Sequence, residues 1–256
     1  MVSVAFANLL WRDIWVTLRN WPSFLAQNLM QPVFFLFIFA SVLPKLGQTN
    51  GGYSTMLLPG IIALTTLLTA MQSVSLPLAI EFGYTKEIED RLLSPLPVWA
   101  IAVQKMVFAS IRGLLGGALI LPLGRLIIGT DFTVSTSHPI LLATVAVLGA
   151  LGGSALGLTL GTVIQPAQIG LWFSLVLTPL LFTGCVYYPW ALLSRLRWFQ
   201  VVTCFSPLTY TSEGFRAALA PVVPHMPVPF ITFGQVAFLI LFGYIGIRSF
   251  GRKAVD

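Results

Sequence analysis

Sixty-three consecutive residues, Phe132 to Ser194, contain no Asp, Glu, Lys or Arg. That stretch cannot be the surface of a water-soluble domain, because such domains draw roughly a quarter of their residues from charged types. Residues 21–44 and 54–80 are uncharged as well. Of the 256 residues only 9% are charged, and the mean hydropathy is +0.90. Apolar runs longer than about 18 residues read as membrane-spanning helices. The sequence therefore predicts an all-α polytopic membrane protein.

Six transmembrane helices are expected, at about 22–44, 55–80, 98–129, 139–163, 169–187 and 230–248. Ahead of them, Trp11, Ile14, Trp15 and Leu18 fall at helical spacing opposite Arg12, Asp13, Arg19 and Asn20, which predicts an amphipathic N-terminal interfacial helix over about 5–20. The fourth span contains GALGGSALGLTLG, whose small residues recur at three- and four-residue spacing and permit close helix packing. Residues 189–220 are too polar to span and too apolar to be loose, so short outer re-entrant helices are expected there. The 256 residues form a single transmembrane domain.

The third span is unusual in holding Lys105, Arg112 and Arg125. Intramembrane cations are costly. Lys105 is expected to snorkel from a helix that protrudes into the cytoplasm. Arg112 has two readings, one the same and one on an inward face touching an anionic substrate in the translocation path or a lipid headgroup. Arg125 is expected at the outer interface.

With both termini inside, the inner side carries Arg12, Arg19, Lys86, Arg91, Arg248, Arg252 and Lys253, against Lys45, Arg195, Arg197 and Arg216 outside. Seven against four favours cytoplasmic N- and C-termini. The net charge of +6 is scattered singly, which argues against a nucleic-acid partner. Cys185 and Cys204 lack metal-ligand spacing, and the sequence leaves open whether they form a disulfide or stand as two unpaired thiols.

No G-x-x-x-x-G-K-[ST] phosphate-binding loop occurs, nor a nucleophile elbow or a His-rich metal motif. His138 and His225 stand singly beside prolines in loops. With no acid expected inside the hydrocarbon, a proton- or cation-coupled carrier lacks its usual relay. The sequence thus predicts no enzyme and no metal site, and energy supplied by another chain.

The place to receive it is EFGYTKEIEDRLLSPLP, residues 81–97, which hold four of the eight acids. A helix over about 83–94 would be stopped by Pro95 and Pro97. Lys86 with Asp90, and Glu87 with Arg91, are i,i+4 pairs, and Tyr84, Ile88 and Leu92 line an apolar edge.

EIEDRLLSPLP, placed after the second of six spans, resembles the cytoplasmic coupling helix of the type-2 ATP-binding-cassette transporter permeases. TGCVYYPWALLSRLRWFQVVTCFSPLTYTSEGFRAALAP resembles that family's short outer helices between spans five and six, with Ser206 where Asn is common and Arg216 as the matching arginine. The resemblance covers essentially the whole chain.

It implies a permease subunit of a bacterial plasma (inner) membrane exporter, paired with a second permease as homodimer or heterodimer. Two separate nucleotide-binding ATPase subunits would carry ATP and Mg, with no cofactor on this chain. Glu87, Glu89, Asp90 and Arg91 would contact the ATPase, Ile88 and Leu92 would seat in its groove, and the interfacial helix would brace the junction. Pro207, Tyr210, Glu213 and Arg216 would form the outer re-entrant turn. An amphiphilic drug or lipid-like cargo is expected, with polysaccharide or glycolipid export as the alternative in the family. An ATP-independent channel or secondary carrier is the alternative outside it.

Overall fold

The structure, a computed structural model, describes residues 2–46, 53–85, 88, 96–128 and 138–254. They form α1 (Val2–Arg19), α2 (Trp21–Lys45), α3 (Tyr53–Ile80), α4 (Val98–Ile128), α5 (Pro139–Val163), α6 (Ile169–Thr183), α7 (Arg197–Thr203), α8 (Pro207–Leu219) and α9 (Val228–Lys253). Short 3₁₀ turns occupy Pro166–Gln168 and Trp190–Arg195, and α3 continues as a π-helical turn over Glu81–Thr85. No strand occurs among the described residues. α1 and α2 are separated at Asn20, and Pro22 sits in the first turn of α2, where its missing N–H costs nothing.

α3 is the axis of the bundle. Leu57, Leu58, Ile61, Leu64 and Met71 are each fully buried at 0% exposure. What brings its neighbours this close is glycine. On α5, Gly149, Gly153, Gly157 and Gly161 recur every fourth residue and so form one stripe along the helix. A Cβ on Gly153 would stand 2.5 Å from the Leu67 carbonyl oxygen, and one on Gly157 2.3 Å from that of Met71. α4 presses on α3 in the same way, with a Cβ on Gly113 falling 2.5 Å from the Thr66 carbonyl.

Both termini lie at one end of the bundle. Ala5, Phe6 and Leu9 of α1 and Phe250 and Ala254 near the C-terminus belong to one apolar cluster with Phe82, Ile88 and Leu96. Lys253 Nζ donates to the Ile164 carbonyl at 3.3 Å, so the link between α5 and α6 lies there too. The far end holds Tyr53, whose hydroxyl donates to the Tyr187 carbonyl at 3.3 Å.

Five helices, α2, α3, α4, α5 and α9, are long and apolar enough to cross a membrane by length and composition. The expected fifth span, 169–187, is the exception. α6 has 15 residues and reaches about 22 Å, short of the roughly 30 Å hydrocarbon core. It ends at Thr183 because the chain folds back into the bundle: a Cβ on Gly60 of α3 would meet the Val186 carbonyl oxygen at 2.1 Å. α8 then packs into the space so created, with Leu208, Thr209, Thr211 and Phe215 buried among α3, α5 and α9.

The glycine contacts make a prediction. Gly157→Ala puts a methyl into the Met71 carbonyl and should cost about 1–3 kcal/mol, the range for overpacking. Gly152, five residues earlier on α5 with nothing within 4 Å of a built Cβ, is the control. Gly152→Ala should lose nothing and gain up to about 1 kcal/mol of helix propensity. Thermal unfolding of the two variants in detergent checks the contrast.

Candidate functional site

Each end of the bundle carries a buried ion pair. At the termini end, Lys105 Nζ of α4 donates to both oxygens of Glu81 at 2.5 and 2.7 Å. Both side chains are 9% exposed. This corrects the expectation that Lys105 snorkels to water: its charge is met inside the protein, by an acid grouped in sequence with a solvated segment. Desolvating two charges is expensive, and only close contact with good hydrogen bonding offsets it.

The residue before it, Gln104, donates Nε2 to Asp13 Oδ2 of α1 at 3.0 Å. Adjacent positions on α4 thus hold the end of α3 and the polar face of α1. The opposite face of α1 presents Trp11, Trp15 and Leu18, all more than half exposed, as expected for a helix lying at a membrane surface.

Of the residues expected to contact the ATPase, Ile88 is the one described. It is 4% exposed and packs with Val74, Leu78, Ile101 and Phe250. Its side chain is therefore seated in the chain's own core, where a place in a partner's groove was expected. Glu87, Glu89, Asp90, Arg91 and Leu92 lie outside the described residues. Leu96, at 7% exposure, joins the same cluster, so the segment is fastened at Glu81, Ile88 and Leu96.

At the far end, Pro207 opens α8 in its first turn. Ser206 adopts an extended conformation before it, and its buried hydroxyl finds no hydrogen-bond partner among the described residues. Tyr210 donates its hydroxyl to the Cys204 carbonyl at 2.9 Å. Its ring occupies the place where a side chain on Gly234 of α9 would stand, with Cδ1 2.2 Å from a built Cβ.

Glu213 and Arg216 are both 0% exposed and ion-paired one turn apart. The carboxylate also accepts the backbone N–H of Trp190 at 3.0 Å and of Met226 at 2.7 Å. Arg216 Nη2 donates to the carbonyls of Cys185 at 2.9 Å and Val186 at 3.4 Å. Cys185 has φ 50, the left-handed region that side chains other than glycine rarely adopt. One ion pair therefore clasps four stretches of chain: the turn after α6, the 3₁₀ segment, α8 and the lead into α9.

Two expectations change here. Arg216, counted with the outer loop charges, is fully buried, which leaves three basic residues in that group. And acids do lie inside the bundle, though both Glu81 and Glu213 are already neutralised by partners. The signal for the second pair was the i,i+3 spacing of Glu213 and Arg216 in a run of small and apolar residues. Cys185 and Cys204 are free thiols, which decides between the two readings the sequence left open. No group of residues that could hold a metal occurs among the described residues, and His225 Nδ1 lies 2.9 Å from the Met226 carbonyl.

Arg112 faces neither ion pair. It lines a cleft of about 300 Å³ with Val16, Thr17, Asn20, Ser23, Phe24 and Gln27, where α1 turns into α2. Its guanidinium lies over the Phe24 ring, 4.9 Å from the centroid, and 5.8 Å from that of Phe108. Gln27 also lines a narrower groove of about 20 Å³ that runs on past Gln31, Thr65, Thr69 and Gln72 between α2 and α3.

Removing one member of a buried ion pair strands the other charge. Arg216→Met should therefore cost about 3–5 kcal/mol. Adding Glu213→Gln should recover part of that loss, because no bare carboxylate then remains. Unfolding midpoints of the single and double variants test this; equal midpoints for wild type and Arg216→Met would contradict the clasp.

Residues 4–220 match the sequence pattern of the ABC-2 type transporter family. The chain is 25% identical over 247 residues to the inner membrane transport permease YadH of Escherichia coli strain K12, covering 94% of this chain and 92% of that protein. It is 26% identical over 223 residues to the putative transport permease ycf38 of Cyanophora paradoxa, covering 80% and 71%, and 27% identical over 208 residues to that of Porphyra purpurea, covering 76% and 67%. With its long apolar helices, the chain is a multi-pass membrane protein that belongs to the ABC-2 type transporter family, the transmembrane permease component of an ABC transporter.

Proposed function

We propose that the chain is the permease subunit of an exporter that moves an amphiphilic, drug-like or lipid-like substrate outward, driven by ATP hydrolysed on separate nucleotide-binding subunits. The termini end faces the cytoplasm, and a second permease copy or close relative completes the pathway. ATP and Mg belong to the partner.

The observation that carries this reading is the fastening of residues 81–97. The segment is charged, lies at the termini end, and is tied to the bundle by the Glu81–Lys105 pair and by buried Ile88 and Leu96. A segment fastened at Glu81, Ile88 and Leu96 passes a push on to α3 and α4. Ile88 serves as its anchor, and Glu87, Glu89, Asp90, Arg91 and Leu92 form the face offered to the ATPase. The α1 helix braces the same junction through Asp13 and Gln104.

The two buried acids support an external energy source. Each is committed to a basic partner at close range, so neither is poised to load and release a coupling proton. The apolar surface of the helices suits an amphiphilic cargo.

Charge reversal at the offered face tests the partner. Placing like charges across an interface costs several kcal/mol. Glu89→Lys with Asp90→Lys should lower co-purification of the co-expressed ATPase by about tenfold or more, with the permease itself still folded. Undiminished ATPase binding and transport would overturn the assignment.

A further inference from the structure

The cleft beside Arg112 has features that packing alone does not explain. Its walls come from three helices: Val16, Thr17 and Asn20 from α1 and its end, Ser23, Phe24 and Gln27 from α2, and Arg112 from α4. At about 300 Å³ it reaches the lower end of the range for small-molecule sites. Among the described residues Arg112 Nε is buried with no hydrogen-bond partner, and Arg112 takes part in none of the ion pairs found. A guanidinium carries five donors in a planar fork suited to phosphate or carboxylate, and here the ring of Phe24 under it leaves the buried Nε without an acceptor.

The cleft's position narrows the class of ligand. It lies where α1, with Trp11 and Trp15 exposed, gives way to α2 at Trp21 and Pro22. Tryptophans and an amphipathic helix of this kind mark the headgroup layer of a bilayer. An anionic amphiphile anchored in that layer presents its charged headgroup where the cleft opens. Phe24 offers an apolar wall for the start of its acyl chain, and Thr17, Asn20, Ser23 and Gln27 offer hydrogen bonds to a glycerol or similar headgroup.

We propose that this cleft binds the phosphate of an anionic amphiphile, with Arg112 as its charge partner. The ligand is either a bilayer phospholipid that holds α1 against the bundle or a phosphate-bearing cargo at the start of its route. The second source rests on the exporter reading; the first does not.

The test uses the full chain in nanodiscs of phosphatidylcholine containing phosphatidylglycerol, with retained lipid measured by native mass spectrometry. The wild type should retain phosphatidylglycerol in saturable preference to phosphatidylcholine. Arg112→Gln should weaken this by about tenfold, the scale of one lost charge-assisted hydrogen bond. Ser23→Phe, which fills the cleft from α2 and leaves Arg112 untouched, should do the same, and an unchanged unfolding midpoint in either variant separates binding from folding. In vesicles containing the ATPase, ATP-driven movement of labelled phosphatidylglycerol identifies cargo, and retention without movement identifies a resident lipid; both support the site. Equal retention of the two lipids by the wild type, or retention unchanged in both variants, would overturn it. A failed binding experiment leaves the exporter reading standing, because it needs no ATPase.

Discussion

Backbone-to-backbone contact between α3 and the glycines of α4 and α5 is the constraint on which the remaining structure depends. Inside a bilayer the hydrophobic effect does not drive helices together, since lipid tails are as apolar as leucine. Association rests on close packing, and glycine is what lets two helices approach until one carbonyl meets the other's Cα. The stripe Gly149, Gly153, Gly157 and Gly161 lays α5 along α3 and reaches α8 as well, where Gly149 meets Thr211. With that axis fixed, Glu81 stands at one end, against Lys105. The turn holding Cys185 and Val186 is pressed against Gly60 toward the other.

The ion pairs at the two ends do different work on this frame. Glu213 and Arg216 tie together four separate stretches, so they stabilise the folded-back segment that shortens α6. Glu81 and Lys105 join the end of α3 to α4. The far end is thus stapled across many elements. Among the described residues, the termini end is held by the Glu81–Lys105 pair, an apolar cluster, the Asp13–Gln104 hydrogen bond and the contacts of Lys253 with Ile164 and Phe82.

Much of this is legible in the sequence, for identifiable reasons. Uncharged runs report the long helices because hydrocarbon excludes charge over a fixed thickness, and the four-residue glycine repeat reports a packed face because helical periodicity is local. The amphipathic α1 is legible on the same grounds. Lys105 is not, because its partner Glu81 is 24 positions away and no local pattern links them. The short α6 is hidden for the opposite reason: residues 169–187 are uncharged throughout, and the contact of Val186 with Gly60 reveals that the last of them turn back inside. Ile88 illustrates a third limit. An amphipathic pattern identifies an apolar edge but not whether that edge faces the chain's own core or another protein.

This bundle is expected to move its substrate only when a separate ATPase acts on it. The most direct measurement reconstitutes the permease in sealed vesicles, with and without the co-expressed ATPase, and follows a labelled amphiphile across the membrane. Movement that requires both proteins and hydrolysable ATP is the predicted result. Transport by the permease alone, at the same rate with or without ATP, would contradict it.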